Sequence, residues 1–215
     1  MEYKNDGIES SMTNDFIFNK RKLPGILGLV AGQYLESCRQ LIEWSFLDAE
    51  NSLNGDLADE NGKIDKLQYS VAAVVEAELT QAFGVLLASN AKKNAVIPTL
   101  RSRVKLSVVN GVTFEVEYLL RETALQIREE YSQYLNECIK RLDHLILPST
   151  VSELNNPLEP MLFVEKFINA CERTAEIDPR RRRLVYEELQ KQMLEMLPLC
   201  YRDASEALSR AGILP

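Results

Sequence analysis

Histidine is the scarcest of the chemically versatile residues: among 215 residues there is one, His144. Zinc sites built on paired histidines, and the two Glu-x-x-His motifs of a di-iron helical bundle, need more than one histidine and are excluded. A serine or cysteine nucleophile needs a base beside it, and a single histidine leaves no such pairing that spacing can reveal. We therefore expect no metal site, no cofactor and no enzymatic activity.

Glycine and paired cysteines are also few. The chain has nine glycines and none of the glycine-rich loops that bind phosphate groups. Its four cysteines are far apart and form no Cys-x-x-Cys pair: Cys38, Cys138, Cys171 and Cys200. Because each falls on an apolar helical stripe, we expect reduced thiols packed in the core rather than disulfides or metal ligands.

Positive charge and long apolar runs are the remaining shortages. Lysine and arginine number 25 against 32 aspartates and glutamates, giving a net charge of −7. Such a surface repels a phosphate backbone, so a general nucleic-acid partner is disfavoured. No uninterrupted apolar run approaches the roughly 20 residues that span a bilayer, and the first residues are polar. We expect a cytoplasmic protein with no membrane insertion.

The distribution of polar residues indicates one main domain. Residues 1–22 are rich in Asn, Ser, Asp and Lys and have little periodicity, which is typical of a mobile tail. Leu23-Pro24-Gly25 then predicts the start of a single helical domain over 23–215, with a possible subdivision near 148–156.

Within that domain, apolar side chains recur every three or four residues in five stripes. This period is that of amphipathic helices, so the pattern predicts an all-α bundle of about five to six helices. The stripes contain Leu27, Val30, Tyr34, Cys38 and Leu41; Val71, Val75, Leu79, Phe83 and Leu86; Val116, Leu120, Ala124, Ile127, Tyr131, Leu135, Cys138, Leu142 and Leu145; Phe163, Phe167, Ile168 and Cys171; and Val185, Leu189, Met193, Met196, Cys200, Ala204 and Leu208. The stripes over 116–145 and 185–208 are long for a small domain, and we expect part of that surface to serve a homodimer.

One region admits two interpretations. Residues 104–116 alternate around Asn110-Gly111, the commonest two-residue hairpin turn, which predicts a short extended segment or hairpin. Helical spacing over about 30 residues, from near Thr113 to Pro148, instead predicts one long helix. The longer signal is the stronger, so we favour the helix.

Helix boundaries are clearest near the C-terminus. Pro160 suits the first turn of a helix, and Asp178-Pro179 reads as an N-cap followed by a first-turn proline. Gly212 is the expected stop of the last helix. Pro198 interrupts that helix, which predicts a kink or two helices in sequence.

Several of these residues resemble a known family. They are Asn156-Pro157-Leu158-x-Pro160, Phe167, Arg183-Leu184, Tyr201, Leu208 and Gly212-Ile213-Leu214-Pro215, together with the stretch from Leu106 to Asp143. The chain is similar at these positions to the bacterial family called domain of unknown function 1631. The likeness covers about half of the chain, and Ser205 stands where that family usually has asparagine. It implies a helical bacterial module, either the N-terminal part of longer proteins or a short relative, accompanying cyclic dinucleotide signalling domains. Some members carry the label thymidine phosphorylase, which the missing phosphate loop does not support. The resemblance supplies no catalytic residue.

Four consecutive arginines, Arg180, Arg181, Arg182 and Arg183, begin the last predicted helix. Positive charge is unfavourable at a helix N-terminus, where the macrodipole is already positive, so these residues are candidates for binding an anion. Alternatively, they fan around the helix, pair with nearby glutamates and cover apolar surface.

Two functions follow from these observations. The favoured one is a noncatalytic protein-interaction or regulatory module that binds a protein partner or a second copy of itself. The other is a sensory module that binds a small anionic ligand or cyclic dinucleotide through Arg180–Arg183, with Arg101 and Arg103 as further candidates.

Overall fold

The computed structural model describes residues 6–53, 61–91, 111–146, 151, 156–174 and 177–214. Within these ranges, side chains are described for residues 25–53, 66–87, 114–146, 151, 156–174 and 177–214. Six helices occupy these ranges: α1 (Asp6–Ser52), α2 (Asn61–Ala91), α3 (Gly111–Glu130), α4 (Ser132–Ile146), α5 (Pro160–Arg173) and α6 (Pro179–Arg210). No strand occurs in any of the ranges named here. The predicted all-α class and the helix count are therefore confirmed.

The first helix begins earlier than its sequence indicates. We predicted a start at Leu23-Pro24-Gly25, whereas α1 begins at Asp6. Pro24 lies inside the helix, because a proline removes one hydrogen bond and adds strain without forbidding helical backbone on either side. The predicted start is wrong, while the mobility of residues 1–22 stays a prediction.

The long helix predicted from Thr113 to Pro148 is two helices. α3 begins at Gly111, and the helical pattern breaks at one residue, Tyr131, before α4 continues to Ile146. Tyr131 N–H still donates to Ile127 C=O at 3.0 Å, so the chain bends with its hydrogen bonds largely kept. Residues 111–116, the second strand of the alternative hairpin, are helical, so the hairpin is wrong there. Residues 104–110 lie outside the described residues.

α6 follows its predicted boundaries and has no break. The Asp178 carboxylate accepts the N–H groups of Arg180 and Arg181, both at 3.0 Å, and thereby caps the helix. Pro198 lies inside one continuous helix, so the alternative of two successive helices is wrong. At the other end Gly212, at φ 80°, donates to Ser209 C=O, while Ile213 N–H reaches back to Leu208 C=O at 3.1 Å. This is the glycine-terminated Schellman motif.

The helices assemble around α6, which packs along α1, α3 and α4, while α5 joins α2 to α3. Aromatic rings fill two centres of this core. Tyr34 lies 6.3 Å from Phe83 and 6.4 Å from Tyr201 between ring centroids, which ties α1 to α2 and α6. Phe167 lies 5.6 Å from Tyr186 and ties α5 to α6. Burial of such large side chains supplies most of the driving force for folding.

The five predicted stripes form this core. All their members are buried except Tyr131 and Met196, which are partly buried against it. The stripes over 116–145 and 185–208 are therefore covered within one chain. The surface that motivated a homodimer is not available, and self-association stays a prediction without that support.

α2 is apolar on average although it contains no long uninterrupted apolar run. Within its segment Lys66–Leu87 an 18-residue window has a mean hydropathy of 1.4, and α2 is the one helix among the described residues that could cross a membrane by length and composition. A third of that window is buried inside the protein. One such helix is weak evidence for a membrane span, because a helix of a protein core passes the same test.

The four cysteines lie in the core as predicted. Each is a free thiol, and each is buried. Burial raises the pKa of Cys138 and of Cys171 to about 12. Little thiolate forms at neutral pH under these conditions, so these sulfurs are poor nucleophiles.

Candidate functional site

The arginine turn, which we define as Arg180–Arg183, does not gather its four side chains at one place. Arg181 turns inward and is 4% exposed. Its Nε donates to the Glu50 carboxylate of α1 at 2.7 Å, and its Nη1 lies 3.6 Å from the cap residue Asp178. This arginine fastens the start of α6 to the end of α1.

The other three arginines point elsewhere. Arg183 extends along α6 to Glu187, with Nε 2.7 Å from the carboxylate, while Arg180 is exposed. Arg182 is half-buried and donates to Ile177 C=O at 3.4 Å. The four side chains therefore spread around the helix, as expected if they pair with glutamates and cover apolar surface, and they form no concave site for an anion. Arg101 and Arg103 lie outside the described residues.

Arg182 adjoins a buried polar cluster between α3, α5 and α6. The positive charge of Arg182 favours the ionised forms of Glu117 and Cys171 and so acts to lower their pKa values. Burial outweighs that effect, and the pKa values of Glu117, Cys171 and Tyr186 are all raised. Burial thus favours the neutral form of each of these groups, which makes the Cys171 thiol a poor nucleophile.

The Asn156–Pro160 motif forms a structural corner. Asn156 Oδ1 accepts Leu158 N–H at 3.1 Å, which makes an Asx turn, and Pro160 opens α5. Glu159 occupies the N-cap position without capping through its side chain. Its carboxylate instead accepts Arg128 of α3 at 2.6 Å. The motif therefore positions α5 against α3 through a largely buried ion pair.

The motif at the C-terminus forms a second corner. Arg141 of α4 donates to Ser205 Oγ at 2.8 Å, to Glu137 at 3.1 Å and to Leu214 C=O at 3.3 Å. The Ser205 hydroxyl in turn lies 3.3 Å from the Glu137 carboxylate, to which it donates. This network holds the end of the chain against α4, and an asparagine at 205 could accept and donate in the same way.

A surface groove of about 520 Å³ runs between α1 and α6. Gly28 and Gly32 line one side, and Cys200 and Ala204 line the other. Nothing lies within 4 Å of a Cβ placed on either glycine, so the fold itself does not require them. The charges at the groove are the carboxylates of Glu36 and Asp203, which leaves no cation there to hold an anion.

The most unusual surface belongs to α3. Phe114, Tyr118 and Leu125 are 62%, 53% and 49% exposed. At about 100° per residue these three positions fall within roughly 40° of one another around the helix. They form one apolar stripe, here called the α3 stripe, on the side of α3 opposite the core. Sequence reasoning missed it because it looked for one stripe per helix and had already assigned the buried one.

Carboxylates flank the α3 stripe. Glu115, Glu122 and Glu129 project beside it and are exposed; we call them the acidic column. The neighbouring Glu122 carboxylate raises the pKa of the Tyr118 phenol. The sequence signal was available, since positions 115, 122 and 129 repeat every seven residues, next to hydrophobic residues outside the predicted stripe.

The arginines of α3 turn away from the acidic column, towards α5. Arg121 Nε lies 2.8 Å from Glu165, and Arg128 pairs with Glu159. On the α6 side of the column, the charge of Glu115 acts on Arg183 and contributes to the raised pKa of that arginine. The outer face of α3 therefore combines an apolar stripe with a net negative charge.

Among the described residues, no group of three or more His, Cys, Asp and Glu side chains could hold a metal ion. His144 is exposed at the end of α4. The acidic column is spread along a helix and converges on no point.

Comparison with known proteins identifies the family. Residues 38–212 match the family described as "Protein of unknown function (DUF1631) N-terminal domain". The chain belongs to this family. No curated protein matches, and neither does any solved structure. The match begins within α1, so it covers the last part of α1 and all of α2 as well as the region from residue 106 that the sequence motifs indicated.

The two corners explain the family motifs in this chain. Asn156 bonds with Leu158 N–H just before α5, and Gly212 bonds with Ser209 C=O at the end of α6, so both bond with groups of the same chain at the ends of helices. They act as scaffold. A functional surface of the DUF1631 N-terminal domain is therefore better sought among exposed residues that the fold does not use.

Proposed function

We propose that this protein is a noncatalytic interaction module that binds a protein partner through the outer face of α3. The observation that carries the proposal is the α3 stripe, three large hydrophobic side chains exposed side by side on one helix. Single exposed hydrophobics are common on protein surfaces, but contiguous ones usually mark an interaction site.

The spacing of the α3 stripe supports helix recognition. Phe114 and Tyr118 are four residues apart, and Tyr118 and Leu125 are seven apart. Anchors at these intervals lie along one line of a helix and fit the groove or face of another helix.

The alternative of an anion sensor has less support. An anionic ligand needs cations that converge, whereas Arg181 is engaged with Glu50 and Arg183 with Glu187. The raised pKa values of the core thiols and tyrosines likewise give little support to a catalytic role. We retain the proposal that the protein acts in the cytoplasm as a regulatory partner of another protein.

Site-specific photocrosslinking tests the proposal. A photoreactive phenylalanine analogue would replace Phe114 or Leu125 in the full chain, expressed in its native host. Two positions of equal exposure away from α3 serve as controls: Tyr69 at 63% matches Phe114 at 62%, and Leu199 matches Leu125 at 49%.

We expect the two α3 positions to give the same crosslinked protein, identified by mass spectrometry, and the control positions not to give it. Crosslinks that form equally from Tyr69 and Leu199 would show that contact is unselective. Crosslinks that form only from the controls would move the interaction surface away from α3.

A further inference from the structure

Charge and shape together limit what the outer face of α3 can bind. Building on the proposed function, we infer that the partner presents a basic amphipathic helix, with apolar side chains that cover the α3 stripe and lysines or arginines that meet the acidic column. Three properties of this face specify that class of partner.

The first step is the source of the negative charge. Glu115, Glu122 and Glu129 are exposed at every second turn of α3. The two arginines of the same helix lie on its other side, where Arg121 contacts Glu165 and Arg128 contacts Glu159. The acidic column therefore keeps its charge towards solvent, and it attracts a cationic surface.

The second step is the geometry of the acidic column relative to the α3 stripe. The seven-residue repeat of the glutamates runs parallel to Phe114, Tyr118 and Leu125, because residues seven apart lie nearly in line on a helix. A partner helix with an apolar stripe and a basic edge can match both lines at once.

The third step weighs against the most economical alternative, a second copy of this chain. In a two-fold dimer with antiparallel α3 helices, two acidic columns would approach each other. With parallel α3 helices, each column would meet the edge that carries Arg121 and Arg128, whose guanidinium groups already contact Glu165 and Glu159. Like charges at an interface oppose association. Arg183 lies near Glu115 alone, which leaves Glu122 and Glu129 of each copy without a cation from the other patch.

A pair of designed peptides tests the inference without knowledge of the natural partner. Each has about 18 residues, roughly five helical turns, with leucines in one stripe. One peptide carries lysine at every flanking position, and the other carries glutamate. Fluorescence anisotropy measures the Kd of each labelled peptide for the full-length protein.

We expect the lysine peptide to bind about tenfold or more tightly than the glutamate peptide. Its affinity should weaken when salt rises from about 0.1 M to about 1 M, since the Debye length falls from about 10 Å to about 3 Å.

Three variants locate the binding. The stripe variant carries Phe114→Ser, Tyr118→Ser and Leu125→Ser. The column variant carries Glu115→Gln, Glu122→Gln and Glu129→Gln. The charge-matched control carries Glu36→Gln, Asp203→Asn and Glu206→Gln, which removes three carboxylates from α1 and α6.

The stripe variant should lose lysine-peptide binding, because it loses the apolar anchors. The column variant should bind the lysine peptide about tenfold more weakly and should lose most of the salt dependence, while the charge-matched control binds as the unmodified protein does. Circular dichroism of each variant confirms that a loss of binding is not a loss of fold.

Several results would overturn the inference. Equal affinity for the two peptides would refute a basic partner, and so would equal weakening in the column variant and its control. If crosslinking at 114 and 125 still identified a protein partner in that case, the proposed function would stand and only the partner's chemistry would be wrong.

Other occupants would give distinct signatures. Concentration-dependent dimerisation that the stripe variant abolishes, measured by sedimentation equilibrium, would assign the face to a second copy. A photocrosslink from position 125 to a peptide within residues 92–110 of the same molecule would assign it to the chain's own basic segment, which carries Lys92, Lys93, Arg101, Arg103 and Lys105. Either result contradicts a separate basic partner.

Discussion

The arginine turn and the outer face of α3 each carry side chains in unfavourable surroundings: positive charges at a helix N-terminus, and large apolar groups exposed to solvent. They differ in whether other residues of the chain offset the unfavourable term. At the arginine turn, positive charge at a helix N-terminus is offset inside the molecule, since Arg181 meets Glu50 and Arg183 meets Glu187. On α3, the exposed Phe114, Tyr118 and Leu125 meet nothing in the described part of the chain that covers them. Unfavourable side chains that are paired within the chain indicate a structural role, and those that stay exposed indicate a binding partner.

A large effect is expected at the arginine turn. Arg181→Ala should lower the free energy of unfolding by about 3 kcal/mol, because it leaves Glu50 without its buried partner. The matched change Arg180→Ala removes an exposed arginine from the same turn and should cost less than about 0.5 kcal/mol. Urea unfolding measures both. Equal small losses would mean that Arg181 is not structural, and the contrast between the two regions would weaken.

The two sides of α3 should respond very differently to the same substitution. Leu120→Ala removes a side chain that is 0% exposed and should cost about 2–5 kcal/mol. Leu125→Ala, on the α3 stripe, should cost less than about 0.5 kcal/mol. Thermal unfolding of the two variants gives the comparison. A loss above about 2 kcal/mol for Leu125→Ala would show that this leucine is packed in solution.

The helix cap at the start of the arginine turn should make an intermediate contribution. Asp178→Ala removes the acceptor for two backbone N–H groups and should cost about 1 kcal/mol. Asp178→Asn keeps an oxygen acceptor and should cost clearly less. If the two variants were equally destabilised in urea, the ion pair of Asp178 with Arg181 would matter more than the cap.

The smallest expected effect depends on pH and concerns Glu117, which lies between the two regions. Burial raises its pKa, and Glu172 adds to that, against the opposing attraction of Arg121 and Arg182. A raised carboxyl pKa favours the folded state at low pH, and this contribution is lost as pH rises through the folded-state pKa. Glu117→Gln should therefore stabilise the protein at neutral pH, by less than about 1 kcal/mol, and the gain should shrink as the pH falls.

Unfolding measured from neutral to acidic pH checks the sign of this effect. A gain that grows towards low pH would mean that the ionised Glu117 stabilises the fold through Arg121 instead. Glu78 offers an opposite control: although burial opposes it, contacts with Lys166 and Arg173 lower its pKa, so its contribution is present at neutral pH and is lost on acidification.

Much of the fold could be predicted from sequence because the signals were local. The periodicity of Val116, Leu120 and Ala124 identifies the buried side of α3 without knowledge of any neighbour. Asp178 and Gly212 end α6 through bonds that span only a few residues. The break at Tyr131 has no such signal, since neither glycine nor proline lies there.

The candidate site was less predictable because it depends on distant parts of the chain. Arg181 and Glu50 are 131 positions apart, so no local pattern shows that this arginine is buried. Whether Phe114 and Leu125 are covered depends likewise on the packing of all other helices. Sequence identifies residues that can face a core, and only the assembled helices distinguish those that do from those that remain exposed.

The location of peptide binding tests the account most directly. Backbone amide chemical shifts of the isotope-labelled protein, followed by NMR during titration with the lysine peptide, report which residues are contacted. The account predicts perturbations concentrated over residues 114–129 of α3. Perturbations centred on Arg180–Arg183 or on the groove between α1 and α6, with α3 unchanged, would contradict it.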